Sequence, residues 1–145
     1  MKDKIQKNLK NTRTVMKVIG VGGAGGNAVN RLPDLGLQGV ELIVVDSDTK
    51  YLRRSKAEVR IQIGKALTKG LSAGGDPAKG RDATEVSEAS LKATLDGANI
   101  VFVAAGMGGG TGTGGAPVVA RLAKAAQGVP VRRRGEFTLA ARMKA

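Results

Sequence analysis

Residues 99–126 read "NIVFVAAGMGGGTGTGGAPVVARLAKAA". Asn99 to Ala105 is an apolar run of strand length, and Ala116 to Ala126 places apolar residues at helical spacing. Between them, Gly106 to Gly115 holds seven glycines in ten positions and no charged side chain. Flexible linkers do not usually join a buried strand directly to an amphipathic helix. A ligand-binding turn fits better, because glycines bare the backbone and a helix N-terminus offers unpaired amides and a positive dipole end to an anion. A P-loop would place Lys before its Ser or Thr, and none is present. Phosphate is left to the amides, the hydroxyls of Thr111 and Thr113, and the dipole of a helix expected from Pro117.

Two more glycine-rich loops follow the same plan. "GVGGAGGNAVNR" (20–31) comes after the apolar run Thr14 to Gly22, and "GLSAGGDP" (70–77) comes after a run expected as a strand over Val59 to Ile63. Another strand is expected over Val40 to Asp48. Helices are expected in "NAVNRLPDLG", with Ala28, Val29 and Leu32 on one face and Pro33 as a disruption. "RDATEVSEASLKATLDGA" has helical spacing at Ala83, Val86, Ala89 and Ala93, and "APVVARLAKAAQG" has Gly128 placed to cap it. Strands that are nearly all apolar, alternating with helices, make a parallel sheet covered on both faces. Ligands bind such sheets beyond the carboxyl ends of the strands, where all three loops lie.

Composition narrows the chemistry. The 145 residues include no Cys, no His and no Trp. Disulfides, thiolate zinc sites and His-based acid–base catalysis are therefore excluded, and a metal would be a hard cation on oxygen. The net charge of +12 lies at the ends: +5 over residues 1–17, +6 over 121–145 and +1 between. Basic ends on a near-neutral body predict weak nonspecific attraction to anions and no specific nucleic-acid site. No apolar run reaches the length of a membrane span, and no secretory signal opens the chain, which predicts a soluble cytoplasmic protein.

"GGGTGTG" (108–114) matches the signature shared by tubulins and the bacterial cell-division GTPase FtsZ. "KVIGVGGAGGNAVNR", "LTKGLSAGGDPAKGR" and "NIVFVAAGMGGGTGTGGAPVVA" are similar to successive segments of that family, in order, over about residues 15–128. The resemblance implies a Rossmann-like, parallel-sheet α/β domain of the tubulin/FtsZ type, incomplete at its C-terminus, that binds GTP or GDP. It further implies head-to-tail polymerisation with other FtsZ-like subunits, and contact with division-ring proteins at the division site. Residues 1–13 read as a basic arm, 14–128 as the GTP-binding domain and 129–145 as a divergent basic tail.

Carried over by position, the resemblance implies that Gly23, Ala24, Gly25, Gly26 and Asn27 contact the phosphates. Ala73, Gly74 and Gly75 would lie by the terminal phosphate, and Gly108, Gly109, Gly110, Thr111, Gly112 and Thr113 would wrap the phosphates. Asp48 matches the acid of the family's Asn-Thr-Asp loop, which would help order Mg²⁺ through water and phosphate; a helix N-cap is the plainer role for it. Asp46 stands where the family has Asn, so its charge calls for compensation by Mg²⁺, Arg53 or Arg54. No catalytic residue and no direct metal ligand is assigned. The guanine-binding helix and the catalytic acidic loop of the family have no match in this chain, so the resemblance leaves open whether it is an enzyme by itself. Two other readings stand beside this one. Gly20-x-Gly22-x-x-Gly25 with Asp46 also fits an NAD(P)-binding oxidoreductase, and a non-enzymatic fragment that modulates filaments fits the missing parts.

Overall fold

The structure, a computed structural model, describes residues 14–126 and 139–140. The element order is β1 (Met16–Val21), α1 (Gly22–Arg31), a 3-10 turn (Pro33–Leu35), β2 (Val40–Asp46), α2 (Thr49–Arg54), β3 (Val59–Gln62), α3 (Lys65–Thr68), α4 (Pro77–Glu85), α5 (Glu88–Leu95), β4 (Ile100–Ala105), α6 (Thr111–Ala126) and β5 (Leu139–Ala140). All pairings are parallel in the order β3-β2-β1-β4-β5. The first three strands run out to one side and the chain then returns to the other side of β1. The gap between β1 and β4 is the point where a crevice opens in a doubly wound sheet.

Side-chain alternation along each strand builds two cores. Ile19, Val21, Ile43, Val45, Val101 and Val103 face one side, where Leu91 and Leu95 of α5 and Val119 and Leu122 of α6 cover them. Leu42 and Val44 face the other side, against Val29 of α1 and Leu52 of α2. Coverage of both faces explains why these strands read as continuous apolar runs rather than alternating ones. At the amino ends of the strands, the buried Lys17 ammonium donates to the carbonyls of Thr94 (2.6 Å) and Asp96 (3.3 Å) and pairs with Glu41 at 3.3 Å. It thereby ties the last turn of α5 to the sheet, a charge placement that complements the helix dipole.

Several expectations are corrected in detail. The first helix begins at Gly22, so the glycine stretch is its opening turn rather than a loop before it. The last helix likewise begins at Thr111, not Pro117, which leaves Pro117 exposed in its second turn. The segment after Gly70 becomes helical at Pro77, because the Asp76 carboxylate accepts from the amides of Ala78 (2.9 Å) and Lys79 (3.4 Å). Asp before Pro is a start signal in its own right. The long helix expected over 81–98 is two helices, broken at an exposed Val86. The buried face of the second is Leu91 and Leu95, not Ala89 and Ala93. Ser87, at the break, accepts from the Gly64 amide at 3.0 Å. The short β5 pairs with β4 within the stretch read as a divergent tail. Gly128, the arm 1–13 and the rest of the tail lie outside the described residues. Among the described residues no helix is long and apolar enough to cross a membrane.

Candidate phosphate-binding site

A cavity of about 570 Å³ opens at the carboxyl ends of the strands, between β1 and β4. Gly23 and Ala24 of α1, Ser72 to Gly75 of the α3–α4 loop and Gly106 to Gly112 after β4 line it, with Asp46, Asp48 and Tyr51 along one edge. The three glycine-rich loops, up to about 90 residues apart in sequence, meet in this one place.

The glycines there divide by what a side chain would meet. At Gly25 a Cβ would fall 2.2 Å from the Ala104 carbonyl oxygen, at Gly110 2.9 Å from the Ala73 Cβ, and at Gly112 2.8 Å from the Gly106 carbonyl oxygen. These are sites of close packing between backbones. At Gly23, Gly74, Gly75, Gly108 and Gly109 a Cβ would meet nothing within 4 Å. Gly74, Gly75 and Gly108 have positive φ, which by itself favours glycine. Gly23 and Gly109 have neither a close neighbour nor a positive φ, and both line the cavity. Nothing in the fold demands glycine at these two positions; a molecule in the cavity would.

Of the residues carried over from the resemblance, Gly23, Ala24, Ala73, Gly74, Gly75 and Gly108 to Gly112 line the cavity. Gly25, Gly26, Asn27 and Thr113 do not; they support its walls. Gly26 lies under the Tyr51 ring, where a Cβ would come 2.8 Å from Cε1. Asn27 meets the Tyr51 hydroxyl at 2.7 Å, and the Thr113 hydroxyl accepts from the Gly108 amide at 3.0 Å. Thr113 is therefore committed to shaping the loop, while the Thr111 side chain is buried at its base.

The acidic edge is also partly structural. Asp48 Oδ1 caps α2, accepting from the amides of Lys50 (2.9 Å) and Tyr51 (3.2 Å). Asp46 is buried and accepts from the Asp48 amide at 3.0 Å. Burial pushes its carboxyl above the usual carboxylate range, and the nearby Asp48 charge adds to this, against the lowering effect of the Asp48 and Ser47 amides. Among the described residues neither Arg53 nor Arg54 pairs with it; Arg53 instead lines a separate surface groove with Arg60. The described residues include no cluster of three or more acidic, His or Cys side chains that could hold a metal ion. Tyr51 and Met107 are cavity residues that the glycine patterns could not flag.

The profile of a family described as "Tubulin/FtsZ family, GTPase domain" matches residues 15–132. Cell division protein FtsZ 2 of Halobacterium salinarum is 48% identical over 107 residues, covering 74% of this chain and 27% of that protein. FtsZ 2 of Haloferax volcanii is 47% identical over the same length and the same shares. Among solved structures, an empty FtsZ dimer from M. jannaschii superposes with a TM-score of 0.77 at 41% identity, over 86% of this chain and 36% of that one. CetZ2 from Haloferax volcanii, solved as a GTPγS-bound protofilament, gives 0.72 at 31% identity, over 81% and 38%. The chain thus spans 27% of the length of these curated relatives.

Proposed function

The chain belongs to the tubulin/FtsZ family through its GTPase domain, and from that premise we propose that its cavity is the phosphate-holding half of a guanine-nucleotide site. The observation that carries this is the pair Gly23 and Gly109: glycines that line the cavity, with open space at the Cβ position and neither a positive φ nor a close neighbour. In this reading a methyl group at either position would intrude on the phosphate chain. The amino ends of α1 and α6 both open onto this cavity, so unpaired amides and two positive dipole ends converge where the anion would sit.

In this reading Gly23, Ala24, Gly74, Gly75 and Gly108 to Gly112 touch the phosphates, and Gly25, Gly26, Asn27 and Thr113 hold the contacting backbone in place. Mg²⁺ typically keeps several waters and takes one or two carboxylates plus substrate phosphates. The edge of Asp46 and Asp48 beside the cradle suits that mode, with Asp48 acting through water. Positioning and charge stabilisation are most of what phosphoryl transfer asks of a protein. By the family resemblance, the GTPase reaction would need an assembly of subunits in which a neighbour's acidic loop activates water. Residues 14–128 would form the nucleotide-binding unit, working head to tail with like subunits at a division site.

Parallel titrations with GTP, GDP and NADH test the reading. Saturable binding of GTP and GDP, lost in Gly109→Ala, supports it. A preference for NADH would transfer the site to the oxidoreductase reading. Absence of any nucleotide binding would leave the non-enzymatic, filament-modulating reading.

A further inference from the structure

The first turn of α1 is poorly built to stand by itself. Gly22, Gly23, Gly25 and Gly26 are four of its first five residues, and each costs roughly 0.8–1 kcal/mol relative to Ala in a helix interior. No side chain caps it: Val21 occupies the N-cap position and makes no side-chain hydrogen bond there. Yet this turn lines the cavity through Gly23 and Ala24. A turn that frays cannot present fixed amides to an anion.

One side chain at the cavity's edge braces it. Tyr51 projects from α2, which is itself held by the Asp48 cap. Its ring packs with the second core cluster and lies on Gly26, whose missing Cβ makes room for it. Its hydroxyl lies 3.0 Å from the Gly23 carbonyl oxygen and 2.7 Å from Asn27 Oδ1, two acceptors one turn of α1 apart that share its single proton. The helix's own amide–carbonyl bonds also link residues i and i+4, and the phenol adds a side-chain anchor to the same turn. A carbonyl held toward Tyr51 fixes its peptide plane, and across a trans peptide the following amide points the opposite way. Burial, and then the charge of Asp46, raise the phenol above its ordinary value, which keeps it a donor throughout the neutral range.

We propose that Tyr51 is a positioning residue for anionic ligands: it preorganises the glycine turn 22–27, so that ligand binding does not have to order that turn. The proposal rests on the phosphate-site reading above for its ligand, but not for its effect on the unliganded chain. Tyr51→Phe removes the hydroxyl and keeps the ring on Gly26. One hydrogen bond of ordinary strength predicts GTP affinity about five- to tenfold weaker. Amide hydrogen exchange at residues 23–27 should be faster in the unliganded variant and return to the wild-type rate when GTP is saturating. A general loss of stability would instead speed exchange throughout the sheet. Tyr51 is also the one tyrosine in a chain without Trp, so intrinsic fluorescence of the wild type reports on this residue and should change when GTP binds.

Wild-type affinity together with unchanged exchange at 23–27 in the variant would overturn the proposal. If neither protein binds GTP, the phosphate-site reading fails, and the exchange rates of the unliganded pair still decide whether Tyr51 braces the turn. Faster exchange confined to 23–27 supports the brace, and equal rates refute it.

Discussion

Gly114→Ala and Gly109→Ala put the same methyl group five residues apart in one signature, and the structure assigns them opposite consequences. Gly114 sits in the first turns of α6 against α4. A Cβ there would lie 1.9 Å from the Pro77 carbonyl oxygen and 2.6 Å from the Arg81 amide nitrogen. Both are backbone atoms, so no rotamer change relieves the clash. Gly80, on the facing helix, makes the reciprocal approach, with a Cβ position 2.3 Å from the Gly110 carbonyl oxygen. Ordinary contact begins near 3.4 Å, so α4 and α6 would have to part by roughly 1.5 Å, taking Leu122 and Val119 off the sheet. Overpacking of this kind costs on the order of 3 kcal/mol, against which Ala returns about 1 kcal/mol of helix propensity. The net loss of about 2 kcal/mol lowers Tm by about 7 °C in a domain of this size. Gly109→Ala meets nothing within 4 Å and carries no φ penalty, so its Tm should stay within about 2 °C of wild type, the usual range for a surface change. Gly109 lines the cavity, and with the ligand seated there GTP affinity should fall about tenfold or more. Thermal unfolding of both variants, with GTP titration of the second, is the assay. An unshifted Tm in Gly114→Ala refutes the backbone packing, and wild-type GTP binding by Gly109→Ala refutes the ligand's place.

Asp46→Asn should stabilise the chain at neutral pH. The folded carboxyl titrates above its unfolded value, so its contribution is fully favourable below the unfolded value and is lost as pH rises through the folded one; urea midpoints from pH 3 to 8 should lose that decline in the variant. Glu88 has the opposite sign. The Arg121 hydrogen bond, and behind it the charges of Arg121 and Lys92, hold its carboxyl below the usual value, so this link between α5 and α6 is present above the ordinary carboxylate range and lost as pH falls through the lowered value. Glu88→Gln should flatten the acid limb slightly and leave neutral stability nearly unchanged, since the pair is exposed. Lys17→Met should cost about 1–3 kcal/mol by stranding the Thr94 and Asp96 carbonyls and Glu41. GTP affinity should be unaffected, because Lys17 lies at the end of β1 opposite the cavity; a linked loss of both would show that the site and the amino ends of the strands are not independent.

The sheet was legible because its signal is redundant. Strands buried on both faces read as apolar runs whatever their exact register, and Val40–Asp46 and Ile100–Ala105 fall inside the runs that announced them. Helix starts were not legible to the same degree. Glycine is a poor helix former, and at Gly22 and Thr111 tertiary packing overrides that propensity; the tight approaches of Gly25 and Gly112 to neighbouring backbone exist only once the sheet is assembled. The break at Val86 was hidden for a similar reason. Alanines at helical spacing suggested one continuous face, whereas the core contact is shared between Ala83 of the first helix and Leu91 and Leu95 of the second. Tyr51 was invisible because its role depends on where α2 lies over α1, which no spacing within residues 49–54 encodes.

The double use of glycine explains why this signature identifies a family when a shorter glycine pattern does not. A cradle needs a few glycines that face the ligand, and many unrelated turns supply those. Here the same ten residues must also let α6 start at once and lie with its backbone against α4 and β1, which fixes Gly110, Gly112, Gly114 and Gly115 for reasons unconnected with any ligand. The two sets interleave in one stretch, because the residues next to the cavity are also those at the crossing of the helices. Loss of the ligand-facing glycines alone would leave a stable, empty α/β domain. Loss of the packing glycines would remove the cradle along with the fold. Variants that keep the fold and lose the nucleotide should therefore concentrate at Gly23 and Gly109, the two positions among the described residues where neither a positive φ nor a close neighbour calls for glycine.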